Sequence, residues 1–348
     1  MQESAMTAKQ IQRPEKFVYE PLPDLTGYFA FRKKLRSYHL TSARDKAFCK
    51  QADALYMNCE ASHNGGGTEK RALCVVALAG SGKTTLVNYY LNLLPYFQSS
   101  LDAFGEQVSP ILRIKLPPGS TAKSAMFEIL QKMRIDDKQY KKKAEPEMPS
   151  IVLNHMKELG YKYLMVDELQ HGVRGSKTGF IKRMQDVLKD LISSDDWPLH
   201  VIFVGTPEVM PIFEDEQVDR RTNMLRLAPL EAQYAWFVDY LIDEIVVKAA
   251  GMTYSFETKD NVTSRLMHAA NYVMGTAILM LQETCFAAFL AGDREITVDH
   301  LRTTYLNKTG CTRRDNVFEA PEFLKIKPNK ALADLLKTDE DEDDDVTY

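Results

Sequence analysis

Residues 77–84 read ALAGSGKT. The stretch ends as a phosphate-binding loop does, in the pattern G-x-x-x-x-G-K-[ST], but Ala77 stands where that pattern has its first glycine. A Gly-Lys-Ser/Thr tripeptide arises by chance in roughly one chain in five of this length, so the flanking sequence has to decide. Upstream, ALCVVAL (72–78) is an apolar run of strand length with β-branched content. Downstream, TTLVNYYLNLL (84–94) repeats Leu86, Tyr90 and Leu93 at helical spacing. A buried strand that ends in a loop opening a helix is the setting a phosphate needs. Backbone N–H groups and the helix dipole meet the anion there, and Lys83 reaches its terminal groups. The first motif position lies at the strand end, whereas Gly80 and Gly82, which let the backbone fold around phosphate, are both present. The nucleotide-binding set expected from this reading is Gly80, Ser81, Gly82, Lys83, Thr84 and Thr85.

The composition is that of an ordinary soluble globular protein. The chain has 348 residues, 45% hydrophobic and 26% charged, enough for one large or two modest domains. No apolar run approaches membrane-spanning length, and MQESAMTAKQIQRPEK at the start lacks a signal-peptide apolar region, so no membrane association is expected. Cys49, Cys59, Cys74, Cys285 and Cys311 form no C-x-x-C pair and read as reduced thiols of a cytoplasmic protein. The seven histidines show no metal spacing, so no zinc is expected. The net charge of −4 is uneven: the seven residues Asp339 to Asp345 are all acidic, and without them the remainder carries +3. Such a block reads as a disordered tail.

Strand-like runs recur at 72–78, 110–116, 161–168, 200–206 and 224–230, with helical patterns between them; after 231 only helical patterns follow. That order implies an α/β fold with a five-stranded parallel sheet, then a small helical lid domain. The expected organisation is an N-terminal arm and helices over 1–70, the helices at 28–40 and 43–57. An α/β core follows over 71–230, a helical lid over 231–309 and a flexible tail with an acidic end over 310–348.

Three further features carry chemistry. YLMVDE places four apolar residues before Asp167 and Glu168. In phosphate-loop proteins an aspartate at the end of a buried strand holds Mg²⁺, and a following glutamate orients and deprotonates the attacking water. VIFVGTPEV ends a strand at Thr206, where a polar side chain lies near the terminal phosphate or caps the helix that Pro207 begins. DEQVDRRTNMLRL offers Arg220, Arg221 and Arg226, either as surface arginines or as a guanidinium delivered to a neighbouring subunit's phosphate.

Taken in order, the phosphate loop, the Asp-Glu strand, the polar strand, the arginine and the helical lid resemble an AAA+ P-loop NTPase. Within that class the chain resembles the TniB/TnsC transposition regulators. The resemblance rests on ILRIKLPPGSTAKSAMFEILQKM with its Pro-containing turn, on VDELQH and on FVGTPEV, and spans about 70–307. It implies an ATPase that uses ATP and Mg²⁺, oligomerises as a ring or helical filament on duplex DNA, and recruits or activates a transposase for a target-selection protein. It makes Lys83 and Thr84 ligands of phosphate and Mg²⁺, Asp167 the Mg²⁺ support, Glu168 the water activator, Thr206 the first sensor and Arg221 the finger acting in trans. Lys123, Lys138, Lys141, Lys142 and Lys143 would face the central pore, with Arg174, Lys177, Lys182 and Arg183 after the Asp-Glu pair as further DNA contacts. Two positions depart from the pattern: Ala77, and Ile278, which stands where many lids carry a sensing arginine. The alternatives are a replication initiator or a helicase or clamp loader of the same fold, and a nucleotide-binding scaffold with little hydrolysis, which the missing lid arginine favours.

Overall fold

The five apolar runs become the strands of one parallel sheet. The computed structural model describes residues 25–101, 105–175, 177–229 and 235–328, with the backbone alone at Arg174, Gly175, Lys177, Thr178 and Ala235. The strands are β1 (Ala72–Val76), β2 (Ile111–Lys115), β3 (Tyr163–Asp167), β4 (His200–Gly205) and β5 (Thr222–Arg226), in the spatial order β2-β3-β4-β1-β5. Every pairing is parallel, with Val76 opposite Gly205 and Arg226, and Asp167 opposite Lys115. Parallel strands need crossovers, so helices cover both faces and the strands are apolar on both sides. Ala72, Cys74 and Val76 pack toward α4 (Ala122–Lys132), α5 (Met148–Glu158), α6 (Gln170–Gly175), α7 (Lys177–Ser193) and α8 (Glu216–Arg220). Leu73 and Val75 pack toward α2 (Ala43–His63) and α3 (Lys83–Leu93). The carboxyl ends of β1, β3 and β4 open on one edge of the sheet, where α/β folds bind ligands.

After β5 the chain builds the lid from α9 (Ala235–Ile242), α10 (Val262–Ala269), α11 (Met274–Ala291) and α12 (Val298–Thr309). Together the ordered sheet and the lid form the parallel α/β core and following helical domain expected from the sequence. Thr253–Tyr254 pairs in parallel with Glu295–Ile296, a two-residue bridge in a region expected to be purely helical. It is too short to leave a period-2 signal.

The flanking segments differ from expectation. The described residues 25–70 divide between the lid and the sheet. Helix α1 (Thr26–Ser37) belongs to the lid, with Leu35 and Leu40 in the lid core, whereas α2 joins the sheet's core through Phe48, Ala52, Leu55 and Cys59. Nor is the whole of 310–348 a free tail. Cys311, Val317, Phe318 and Phe323 are buried in the lid core. The segment is pinned by Arg265, which donates to the carbonyls of Val317 and Ala320, by Asn316 to Arg302 and by Tyr305 to the carbonyl of Pro328. The acidic block lies outside the described residues, as do the arm at 1–24 and Leu335. Contrary to expectation, α11 has the length and composition of a membrane span, with 18 residues and a mean hydropathy of 1.5; half of it is buried as the central helix of the lid.

Candidate nucleotide-binding site

A cleft of about 430 Å³ opens between the sheet edge and the lid, a volume in the range of small-molecule sites. Its floor is the loop after β1. Gly80 and Gly82 sit at φ +74° and +84°, the left-handed region that glycine adopts without strain. Gly82 is the residue before α3, so the first N–H groups of that helix turn toward the cleft. Lys83 is only 6% exposed and lines the cleft, with no hydrogen bond or ion pair to any described residue. The Ser81 hydroxyl is buried and has no hydrogen-bond partner among the described residues. A buried cation and an unpartnered donor in one loop fit a bound anion, since such groups are costly to leave unpaired.

The Asp-Glu pair closes one side. Thr84 Oγ1 donates to Asp167 Oδ1 at 3.1 Å, joining the first turn of α3 to the end of β3. Burial pushes the Asp167 carboxyl above the usual carboxylate range, offset in part by the N–H of Glu168 and the Thr84 hydroxyl. A divalent cation beside it would favour the charged form, so the donors suit Mg²⁺, which takes one or two carboxylates plus phosphate oxygens. Among the described residues no group of three or more His, Cys, Asp or Glu could hold a metal by itself.

Glu168 lines the cleft with its backbone at φ +57°, uncommon for a residue with a side chain and a mark of functional turns. Its carboxylate is oriented by Gln170, whose Nε2 donates to Glu168 Oε2 while its Oε1 accepts from the backbone N of Thr206 at 3.2 Å. Gln170 is 3% exposed. His171 presents Nε2 3.8 Å from the same Glu168 oxygen, and its Nδ1 lies 2.8 Å from the carbonyl of Leu116.

A family model described as "Bacterial TniB protein" matches residues 45–232, more than half of the chain. The chain belongs to the TniB family. The match covers α2 and the sheet with the phosphate loop, Asp167 and Glu168, and ends where the TniB lid begins. No curated protein matches the sequence. Solved structures similar to this TniB chain include Cdc6p from Pyrobaculum aerophilum, at 14% identity over 84% of this chain and 69% of that one, TM-score 0.48. The ORC2 protein of Aeropyrum pernix in its ADPNP–ADP complexes is 13% identical over 76% and 68%, TM-score 0.48. The RuvB Holliday junction branch migration motor of Thermotoga maritima is 13% identical over 78% and 71%, TM-score 0.42. These likenesses concern the fold alone.

Thr206 is buried at the end of β4, yet it does not line the TniB cleft; its hydroxyl lies 3.5 Å from Glu208 Oε2, and it makes no side-chain cap for the helix at Pro207. Arg221 precedes β5, at the sheet edge opposite its own phosphate loop, where its carbonyl accepts from Ala72 N at 3.0 Å. It does not line the cleft of its own chain. Neighbouring Arg220 is paired with Glu69 at 3.0 Å, and Arg226 is exposed at the other end of the strand.

The candidate DNA lysines cluster. Lys123 Nζ donates to the carbonyls of Lys141 and Lys143 at 3.2 and 2.7 Å, so it ties the 138–143 segment to α4. Lys138, Lys141 and Lys142 are exposed, whereas Lys143 pairs with Glu147 at 3.0 Å. Arg183 on α7 lies 3.7 Å from Glu145 beside that segment. The side chains of Arg174 and Lys177 lie outside the described residues.

The sequence alone does not reveal the other wall of the cleft. The strap 38–42 between α1 and α2 lines it, with His39 stacked on Tyr89 at 3.5 Å between ring centroids and bonded to Asp45 at 2.6 Å. Opposite, Met274, Gly275, Ile278 and Gln282 present one face of α11. The approach is close: a Cβ on Gly275 would lie 2.2 Å from the Gly80 carbonyl oxygen and 2.9 Å from the Gly82 nitrogen. The lid thus rests on the phosphate loop through backbone, at a glycine three residues before Ile278.

Proposed function

We propose that this TniB-family chain is an ATPase that oligomerises with ATP on target duplex DNA and recruits or activates a transposase there, hydrolysis resetting the assembly. The observation that carries the nucleotide chemistry is the Thr84–Asp167 bond beside Lys83, with an oriented Glu168 in the same cleft. In this reading the loop from Gly80 to Thr85 binds the phosphates through backbone N–H groups, and Lys83 neutralises the terminal ones. Thr84 and Asp167 would hold Mg²⁺, which would supply charge neutralisation to the bound phosphates. With Glu168 Oε2 taken by Gln170, Oε1 is left to accept a proton from the attacking water. Thr206 acts as first sensor through the backbone bond to Gln170, and Arg221 completes a neighbour's site. Exposed lysines at 138–143, the arginines and lysines of 174–183, and the basic balance of the chain without its acidic block support salt-sensitive contact with DNA phosphates. The cytoplasm, with its DNA, is the compartment this reading requires. Ile278 favours a second reading, a nucleotide-dependent scaffold with slow turnover.

Steady-state ATPase assays with and without duplex DNA, joined to sedimentation with ATP, separate the two. Lys83→Ala should lose nucleotide binding and ATP-dependent assembly. Glu168→Gln should bind and assemble normally but hydrolyse slowly, so that assemblies persist; undiminished turnover in this variant removes Glu168 from the mechanism.

A further inference from the structure

Lys83 is not alone as an unneutralised cation in the cleft. Arg44, the second residue of α2, lines the same cavity. Its Nη1 donates to the carbonyl of Ser81, in the phosphate loop, at 3.3 Å, and its Nη2 donates to the carbonyl of Ala228. No described carboxylate forms an ion pair with it. Asp45 is adjacent, but both of its oxygens are engaged: Oδ1 with His39 at 2.6 Å, Oδ2 with the N–H and hydroxyl of Ser42 at 2.7 and 2.8 Å. Arg36, on the same wall, differs, because its guanidinium pairs with Glu283 and Gln282. Burial holds the Arg44 pKa below its ordinary value, with Asp45 only partly compensating.

Two carbonyls satisfy two of the five N–H donors of a guanidinium. They do not supply its counter-charge, and a half-buried cation gains when an anion meets it. The carbonyl of Ser81 fixes the Arg44 head beside the loop proposed to hold the phosphates. We infer that Arg44 is a second cation for the phosphates of a bound nucleoside di- or triphosphate, contributed by the N-terminal helix of the core. The inference rests on that reading of the cleft. It also gives Ile278 a physical context: the lid need not carry a cation where α2 already does.

The test is a competitive titration of a fluorescent nucleotide with ATP, ADP, AMP and adenosine, at several salt concentrations, on the full chain and on Arg44→Gln, Arg44→Lys and Lys83→Ala. Charge-assisted hydrogen bonds predict that Arg44→Gln weakens ATP and ADP roughly 10- to 100-fold. AMP should weaken less and adenosine not at all, and the salt dependence should flatten. Arg44→Lys should recover part of the loss. Equal ATP affinity in Arg44→Gln overturns the inference. So does an equal loss for all four ligands, which marks Arg44 as a structural staple between Ser81 and Ala228. If Arg44→Gln does not fold, the decision passes to Arg44→Lys, where weakening that does not grow with phosphate number overturns the inference. A wild-type chain that binds none of the four ligands overturns the nucleotide reading itself, whereas wild-type binding abolished only in Lys83→Ala leaves that reading standing and removes Arg44.

Discussion

Gly275→Ala tests how the lid rests on the phosphate loop. The added methyl would start 2.2 Å from the Gly80 carbonyl oxygen, 2.9 Å from the Gly82 nitrogen and 3.0 Å from the Ser81 carbonyl carbon. Ordinary contact begins near 3.4 Å, so α11 and the loop must part by about 1 Å, and no side-chain rotation relieves a clash with backbone. Overpacking of this kind costs roughly 1–3 kcal/mol. Helix propensity alone has the opposite sign, because Gly→Ala within a helix gains about 0.5–1 kcal/mol. Gly27→Ala on α1 is the internal control, since its methyl would meet nothing within 4 Å. Thermal unfolding should therefore place Gly275→Ala below wild type by roughly 1–4 °C and Gly27→Ala at or above it. Titration with a fluorescent nucleotide should show several-fold weaker binding for Gly275→Ala alone. If Gly275→Ala is as stable as Gly27→Ala and binds nucleotide like wild type, the lid is not held on the loop at this point.

Gln170→Leu removes the amide shared by Glu168 and Thr206; kcat should fall with KM little changed, and unfolding should show a loss of about 1–3 kcal/mol from the unpaired Thr206 N–H. A wild-type kcat would deny Gln170 its positioning role. Asp167→Asn keeps an oxygen to accept from Thr84 and removes a buried charge. Because burial raises the Asp167 pKa, the folded state binds the proton more tightly, and without Mg²⁺ this carboxyl's contribution to stability declines as pH rises above the ordinary carboxylate range. The nucleotide-free variant should thus gain on wild type across that window in thermal melts, and parallel curves would contradict the assignment. Replacing Lys141 and Lys142 by Ala should flatten the log–log salt dependence of duplex binding by about 0.9 for each DNA phosphate that is no longer neutralised, and an unchanged slope moves the DNA path elsewhere. Arg221→Ala should bind ATP but hydrolyse poorly, and mixing it with excess Lys83→Ala should restore some turnover; mixed oligomers without rescue would make Arg221 structural.

The sheet was legible because strands buried on both faces are written as continuous apolar runs, and the phosphate loop and Asp167-Glu168 because their chemistry depends on residues adjacent in sequence. The rest of the site depends on residues distant along the chain. Gln170 meets Thr206 across 36 positions and Arg44 meets Ala228 across 184, distances at which periodicity and spacing carry no signal. Gly275 looks like any helix-start glycine until the loop lies against it. The segment 311–328 read as tail because Val317, Phe318 and Phe323 are too few to form a core; they are buried on apolar surface that the lid helices supply.

The division of the N-terminal helices has a mechanical consequence. The chain crosses from lid to core along the strap 38–42 and leaves the core after β5, and the Nη2 bond from Arg44, at the core end of the strap, reaches the Ala228 carbonyl, where the chain leaves the core. A body attached at one point can tilt in any direction, whereas one attached at two turns like a door about the line through its hinges. The phosphate loop, bonded to Arg44 through the Ser81 carbonyl, lies close to the line through these two crossings. A lid turning about this line would convert small displacements near the loop into larger ones at the far ends of α11 and α12.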